Sequence, residues 1–284
     1  MDISLLAGIV GWGILVGIVF SAIGAAGGIL TSFGLITLFG VLEPNAVKPM
    51  TQIVVLATAL TYVPGYLTRG AIVPSLGVLL GVGGVVGAWV GSTVSSLYLS
   101  DMATFRPLFG LLTLAIAAQI GWKLFRHWQT ARRGEASPMK PYIGAVTDKV
   151  LQLGCMCFRY GEQRYRVPIL SPLIAGALIA FTAALFGVGG GFLLVPYMAS
   201  ILGMPMHIIP ATTAIPIFMS LAVSVGNFVS RGAPLDWAIL IPLVIGAVAG
   251  AILGPQINKR LPNAALQGAM AVIVTGIGVK YVFF

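Results

Sequence analysis

Apolar stretches long enough to cross a bilayer follow one another along nearly the whole chain. A helix needs about 20 largely apolar residues to span the roughly 30 Å hydrocarbon core. Hydrophobic residues make up 58% of the 284 residues and charged residues 8%, whereas soluble domains carry about 25% charged residues. The sequence therefore predicts an all-α polytopic membrane protein. It excludes a soluble domain and a single membrane anchor.

The apolar stretches form two sets of four to five segments. They run over 4–23, 28–42, 51–67, 74–99 and 106–125, and over 169–186, 192–202, 208–229, 237–257 and 264–284. The glycine-bounded segments 28–42 and 192–202 are short. Each is a full span, a re-entrant piece or the continuation of a broken helix, so the total lies between about eight and ten.

One long polar segment, 129–168, separates the two apolar sets. Nine of the sixteen basic residues lie between Lys123 and Arg166, and such clustering is typical of a cytoplasmic loop. Those charges either orient the protein or also bind anionic lipid or a partner. The cysteines Cys155 and Cys157 are expected to be reduced, and they are too few for a zinc site. We predict an N-terminal transmembrane repeat (1–128), a basic cytoplasmic linker (129–168) and a C-terminal transmembrane repeat (169–284).

Glycine landmarks recur at a fixed distance along the chain. The cluster at 24–28 matches the cluster at 187–191 at an offset of 163 residues, and three glycines beginning at Gly83 match three beginning at Gly246 at the same offset. We therefore predict two homologous halves, each with a glycine-rich broken helix. Five spans per half would make the repeat inverted and four would make it parallel. The distribution of basic residues mildly favours the inverted arrangement.

The two glycine clusters are the strongest indication of a binding site. Glycine-rich breaks at corresponding positions of two halves mark the site in many transporters. A break exposes backbone N–H groups, and the following helix presents its positive dipole end, so such a site favours an anion. The alternative is tight helix packing without a ligand. The predicted binding residues are Gly24, Ala26, Gly27, Gly28, Gly187, Gly189, Gly190 and Gly191.

Polar and basic residues near these clusters are further candidates. The pairs Thr51-Gln52 and Thr212-Thr213 each open an apolar helix, where they either complete the anion site or cap the helix. Four basic residues either gate and steer the anion or act as interfacial anchors and solvated turn residues. They are Lys48, Arg69, His207 and Arg231.

Acidic residues are missing from the interior of every apolar segment. Cation and proton pathways usually use intramembrane carboxylates, so a metal-cation transporter is disfavoured. No base and nucleophile pair lies at membrane depth, so we predict no enzyme, no metal site and no cofactor. The seven acids are Asp2, Glu43, Asp101 and Asp236 at segment ends, and Glu135, Asp148 and Glu162 in the linker.

The second half resembles the TauE/SafE family of sulfite exporters, also called TSUP. The resemblance rests on GVGGGFLLVP at 187–196, on 205–213 and on Ser230-Arg231-Gly232, and the first half echoes it at 24–28 and 68–70. It implies a multi-pass permease of the bacterial inner membrane that moves sulfite, sulfoacetate or another sulfonate. Ala26 and Gln52 depart from the second-half pattern, so the site is expected to be asymmetric.

The function predicted from the residues and the resemblance together is secondary transport of a small sulfur-containing anion. An anion channel would use the same N–H groups in a continuous pore, and a membrane scaffold subunit would use the basic linker. The expected partners are the small anion and the lipid bilayer. A homodimer is compatible with the sequence, and no nucleic-acid partner is expected.

Overall fold

The computed structural model describes residues 3–23, 27–67, 72–132, 147–152, 154–160, 163–204, 208–258 and 263–283. Within these ranges the chain forms ten α-helices, two π-helical segments and three β-strands. The first half contains α1 Ile3–Ile23, α2 Gly27–Phe33, π1 Gly34–Leu38, α3 Pro44–Leu67, α4 Pro74–Tyr98 and α5 Met102–Arg132. The strands are β1 Thr147–Gln152, β2 Cys155–Tyr160 and β3 Gln163–Pro168. The second half contains α6 Leu170–Phe186, α7 Gly191–Pro196, π2 Tyr197–Ile201, α8 Ile209–Ser230, α9 Trp237–Asn258 and α10 Asn263–Phe283.

The long helices have the length and composition of membrane spans. Among the described helices, α1, α4, α5, α8 and α9 are long and apolar enough to cross a bilayer. Large apolar side chains such as Val86, Leu111 and Ile245 are exposed on them, as expected for surfaces that face lipid. The prediction of an all-α polytopic membrane protein is confirmed.

A small β-sheet lies between the two sets of helices in the sequence. It is antiparallel, with the strand order β1-β2-β3. Its buried residues Met156, Phe158 and Val167 pack in one cluster with Leu76 of α4 and with Ile208, which precedes α8. The sheet therefore covers the end of the bundle at which α4 and α8 begin. We call this the sheet end and the opposite end the far end.

The segment 129–168 contains more regular structure than the sequence analysis predicted. α5 continues to Arg132, and the three strands occupy much of 147–168. Both cysteines of β2 are free thiols. α6 begins at Leu170, next to the predicted start of the C-terminal repeat. The three-part division of the chain stays a prediction.

The same order of elements occurs before and after the sheet. Each half has one long helix, one short helix with a π-helical end, and three further long helices. The first helix of each half packs on the fourth helix of the other half, α1 on α9 and α6 on α4. The two halves are therefore interleaved. A common origin of the halves stays a prediction.

Glycines make the contact between α4 and α6. A Cβ on Gly83 would overlap the carbonyl group of Leu173, and a Cβ on Gly87 would overlap that of Ala177. The regular advance along both helices shows that α4 and α6 run in parallel. Glycines of α9 and α1 make the matching contact, as at Gly250. The spaced glycines therefore act as helix-packing positions.

Contacts between α4 and its other neighbours give the direction of the remaining helices. α8 runs parallel to α4, because Gly77 lies against Ile215 and Ser92 bonds to Asn227 further along. α3 runs the other way, because Lys48 in its second turn reaches the last turn of α4. The corresponding helices α3 and α8 therefore run in opposite directions. An inverted repeat requires this arrangement.

The short glycine-bounded segments do not reach across a bilayer. The helical stretches 27–38 and 191–201 would be only about 17 to 18 Å long at about 1.5 Å per residue, against a hydrocarbon core of roughly 30 Å. π2 returns alongside the start of α6, because the hydroxyl groups of Tyr197 and Ser171 lie 2.9 Å apart. The predicted segment 192–202 could be a full span, a re-entrant piece or the continuation of a broken helix, and the structure favours the re-entrant piece.

Candidate anion site at the second glycine break

The second glycine break is a short turn between α6 and α7. α6 ends at Phe186 and α7 begins at Gly191. Gly187 has φ 74° and Gly189 has φ 80°, in the left-handed region that residues with a Cβ rarely adopt. Residues 187–191 are all buried. A helix break therefore lies at this cluster, inside the bundle.

α3 closes one side of the break. A Cβ on Gly187 would lie 2.6 Å from the Cα of Lys48, and a Cβ on Gly189 would lie 2.9 Å from a methyl carbon of Val55. Both distances are shorter than real Cβ contacts, so a side chain at either position would displace α3. The backbone of the break therefore packs directly on α3.

α8 lies on the other side of the break, where some space remains. Gly190 borders a cavity of about 10 Å³ together with Ile179, Pro216 and Ser220. Such a volume holds about one water molecule. The nearest neighbour of a Cβ on Gly190 would be 3.6 Å away, which is an ordinary van der Waals contact.

The turn leaves backbone donors free. The N–H groups of Gly189, Gly190 and Gly191 make no hydrogen bond to any described residue. A left-handed residue at Gly189 is followed by a right-handed one at Gly190, with φ −75° and ψ −8°. Alternation of this kind turns successive N–H groups toward one concave surface that suits an anion.

The first glycine break meets the second. Gly24 and Ala26 lie outside the described residues. Gly27 and Gly28 form the buried start of α2, and a Cβ on Gly28 would overlap the carbonyl oxygen of Val188. The described part of the first cluster therefore packs on the turn of the second.

Gln52 faces the second break with its side chain unpaired. Lys48, Gln52 and Val55 lie on one face of α3 at spacings of four and three, and the first and last of them contact Gly187 and Gly189. The side chain of Gln52 is completely buried, and neither its Nε2 nor its Oε1 has a hydrogen-bond partner among the described residues. Burying an amide without a hydrogen-bond partner costs about 1 to 3 kcal/mol of folding free energy by mutational measurements. Transfer from water to an apolar solvent gives several kcal/mol for the same group. A bound ligand or water would remove this cost.

Acidic side chains lie away from the break. Glu43, Asp101 and Asp236 are exposed and stand at or beside helix ends. The polar groups near the turn include its own backbone N–H groups, the Gln52 carboxamide of α3 and the Ser220 hydroxyl of α8. Neutral donors without a nearby carboxylate favour an anion over a cation.

The polar pair of α3 is linked to α2. The hydroxyl groups of Thr51 and Ser32 lie 3.0 Å apart, and both side chains are buried. The sequence analysis did not identify Ser32. Its position in a short apolar segment, next to another hydroxyl residue, was an available signal.

The polar pair of α8 is used differently. The Thr212 hydroxyl donates to the Ile208 carbonyl at 2.7 Å and accepts from the Val73 N–H at 3.1 Å. Thr212 therefore holds the start of α4 against α8, and its only proton is engaged. Thr213 is also buried. Anion binding by Thr212 and Thr213 stays a prediction.

The candidate gating residues lie apart from one another. The Lys48 ammonium donates to the Leu99 carbonyl at 2.7 Å and to the Ser95 carbonyl at 3.2 Å, where the negative end of the α4 dipole stabilises it. Arg231 is exposed at the far end. Arg69 and His207 lie outside the described residues.

A polytopic helical bundle with an interior break that presents unpaired N–H and amide donors is typical of a membrane transport protein. The chain belongs to the family described as Sulfite exporter TauE/SafE, whose model matches residues 9–281. It is a multi-pass membrane transporter. The resemblance seen in the sequence is thereby confirmed.

Similar proteins with curated names are also transporters. One is the "Probable membrane transporter protein YunE" of Bacillus subtilis (strain 168), 26% identical over 279 residues and matched over 95% of each chain. Another is a "Probable membrane transporter protein" of Xylella fastidiosa (strain Temecula1 / ATCC 700964), 26% identical over 285 residues, which cover 100% of this chain and 97% of the relative. No solved structure matches the chain.

Proposed function

We propose that this protein is a secondary transporter for a small sulfur-containing anion, such as sulfite, sulfoacetate or another sulfonate, and that it is not an enzyme. The observation that carries the proposal is the buried, unpaired carboxamide of Gln52, which lies on the same face of α3 as the two residues that contact the glycine turn. The family description supplies the sulfur-containing class of substrate.

The anion would bind between the turn and α3 after these two have moved apart, because they are in direct contact in this structure. The N–H groups of Gly189, Gly190 and Gly191 would donate to its oxygens from one side. The Nε2 of Gln52 would donate from the other side. Thr51 and Gly28 would lie next to these four donors. A hydrogen bond to a charged group is worth about 1.5 to 3 kcal/mol, so four such donors can replace much of the hydration of a small oxyanion.

The orientation of the site follows from the linker. Basic residues cluster around the sheet, and the positive-inside tendency places them in the cytoplasm. We propose that the sheet end faces the cytoplasm of a bacterium and that the protein lies in the inner membrane. The far end would then face the outside.

The interleaved helices limit the movements by which the binding site could open to one side of the membrane and then to the other. Independent rocking of the two sequence halves would separate α1 from α9 and α4 from α6, which glycines hold in close contact. Separating packed interfaces of this size is costly. We expect the moving bodies to combine helices from both halves.

Counterflow in proteoliposomes tests the proposal. Vesicles preloaded with unlabelled sulfite should accumulate labelled sulfite with saturable kinetics, and sulfoacetate should compete. Replacing Gln52 with Leu should lower kcat/KM by about 10- to 100-fold, because one charge-assisted hydrogen bond is lost. Its thermal midpoint should stay equal or rise, because an unpaired buried amide is removed.

The same vesicles separate the rival functions. Unitary currents carried by sulfite in planar bilayers would identify a channel. Absence of counterflow for every sulfur-containing anion, together with co-purification of a partner through the linker, would identify a scaffold subunit. Full activity in Gln52→Leu would remove this residue from the site.

A further inference from the structure

A second cavity opens at the far end of the bundle. It has a volume of about 270 Å³, and its lining includes Glu43, Asn45, Ser96, Phe228 and Arg231. These residues come from the segment that opens α3, from the end of α4 and from the end of α8. We call this cavity the far-end pocket. It is large enough for a small hydrated anion.

Arg231 supplies the positive charge of the far-end pocket. Its guanidinium makes two long hydrogen bonds, each 3.4 Å, to the Asn227 side-chain oxygen and the Thr93 hydroxyl. Arg231 forms no ion pair with a described residue, although Glu43 lines the same pocket. The remaining N–H groups of the guanidinium are available to a ligand, and a guanidinium matches oxyanions with paired N–H donors.

The wall of the pocket contacts Lys48. The Asn45 side-chain oxygen accepts a hydrogen bond from the Lys48 ammonium at 3.4 Å, and the Phe228 ring centre lies 5.8 Å from the same nitrogen. The ammonium has no carboxylate partner among the described residues. Lys48 therefore places a second basic group beside the pocket wall.

Lys48 also contacts the glycine turn from its other side, since its Cα and Cβ pack against Gly187. Lys48 therefore contacts both the wall of the far-end pocket and the glycine turn. Movement of α3 relative to the α6–α7 turn would connect the two spaces, and the Lys48 side chain would lie along the connection.

We propose that the far-end pocket is a second anion-binding site, built around Arg231, that holds the transported anion before or after its passage by Lys48 to the glycine turn. This proposal rests on the transport function proposed above. Arg231 binds the anion, Lys48 lines the passage, and Glu43 weakens the attraction enough for release.

Thiol modification measures this site without any transport. In a Cys155→Ser, Cys157→Ser background, Ser96→Cys places a single thiol in the pocket, and Tyr98→Cys, outside the lining set, places one on the same end as a control. An anionic methanethiosulfonate (MTSES) and a cationic one (MTSET) are reacted with the protein in nanodiscs. Removing one unit charge several ångströms away should change the MTSES to MTSET rate ratio by about threefold or more.

The two charge variants should change the MTSES to MTSET rate ratio in opposite directions. Arg231→Gln should lower the ratio at Ser96→Cys, Glu43→Gln should raise it, and neither should change the ratio at Tyr98→Cys as much. Sulfoacetate at saturating concentration should slow the reaction of a neutral methanethiosulfonate at Ser96→Cys, and this protection should be lost in Arg231→Gln. Protection that persists in Arg231→Gln, or no protection in the parent, overturns the proposal.

Counterflow then distinguishes this proposal from the proposed function. In Arg231→Gln the KM should rise several-fold while kcat changes little, in contrast to the loss expected in Gln52→Leu. If the parent shows counterflow and Arg231→Gln has unchanged KM, the second site is wrong and the transport function stands. If the parent shows no counterflow with any sulfur-containing anion, the transport function itself is wrong.

Discussion

α3 and α8 occupy corresponding places in the two halves, yet their polar residues do different work. In α3, the Gln52 side chain is buried without a described partner and faces the glycine turn. In α8, the Thr212 hydroxyl bonds to the Ile208 carbonyl and the Val73 N–H. Corresponding helices of the two halves therefore use their polar residues in different ways. Thr212 holds two helices together, whereas we propose that Gln52 donates to a ligand.

The glycine turn repeats this asymmetry. Its α3 side has no room, because Gly187 and Gly189 lie against Lys48 and Val55. Its α8 side has a small cavity beside Gly190. Because the unpaired amide of Gln52 lies on α3, we expect changes on the α3 side to affect anion binding directly, and changes on the α8 side to affect mainly the stability of the bundle.

The strongest test converts α3 to the residue type of α8. Gln52→Thr removes the carboxamide donor, and we expect kcat/KM for sulfite counterflow to fall by about 10- to 100-fold with little change in stability. Thr213→Val is the matched control in α8, and it should change kcat/KM by less than about threefold. Equal losses in both variants would show that the two helices contribute alike.

The second test compares the two sides of the turn. Gly189→Ala forces a Cβ onto a left-handed residue and against Val55, which should cost about 1 to 3 kcal/mol and reduce counterflow about tenfold or more. Gly190→Ala has room and an ordinary φ, so its counterflow and stability should stay near those of the parent.

SDS-titration unfolding and counterflow on both alanine variants provide the measurement. The double variant Gly189→Ala, Val55→Ala relieves the clash but not the strain of the left-handed residue. It should therefore recover only part of the lost stability. A Gly190→Ala protein as impaired as Gly189→Ala would contradict the asymmetry of the turn.

Several features of the fold follow from local sequence. The apolar lengths predict the long helices, and the glycines spaced by four at Gly83 and Gly246 predict close helix contacts. The cluster at 187–191 predicts the break between α6 and α7. The strands were also visible in principle, because the large apolar residues Met156 and Phe158 are two positions apart, the period of a β-strand.

The roles of individual polar residues depend on contacts that are distant in sequence. Thr212 bonds to Val73, 139 residues away, and Lys48 bonds to Leu99, 51 residues away. Nothing in the local pattern separates Thr212 from Gln52 as a ligand, because both stand near the start of an apolar stretch of the sequence. Tertiary packing decides which of these side chains has its hydrogen bonds satisfied. The hydrogen-bond partners therefore could not be predicted from the local sequence.

The third prediction concerns the structural role of Thr212. Thr212→Val leaves the Val73 N–H buried without its acceptor, and we expect a loss of about 2 kcal/mol in the free energy of unfolding. Thr212→Ser keeps the hydroxyl and should retain most of the stability. Both are measured by SDS-titration unfolding. The KM for sulfite should be unchanged in both variants, and a raised KM in Thr212→Val with normal stability would give Thr212 a role in binding.

The smallest effect is expected for the Thr51–Ser32 hydroxyl pair, which joins α3 to α2. Thr51→Val leaves the Ser32 hydroxyl with one partner fewer and should cost about 1 kcal/mol, whereas Thr51→Val with Ser32→Ala removes both partners and should cost less than the single change. A double-mutant cycle in SDS titrations measures the coupling. If counterflow falls in Thr51→Val far beyond the change in stability, then Thr51 contributes to the anion site, and α3 supplies two ligands where α8 supplies none.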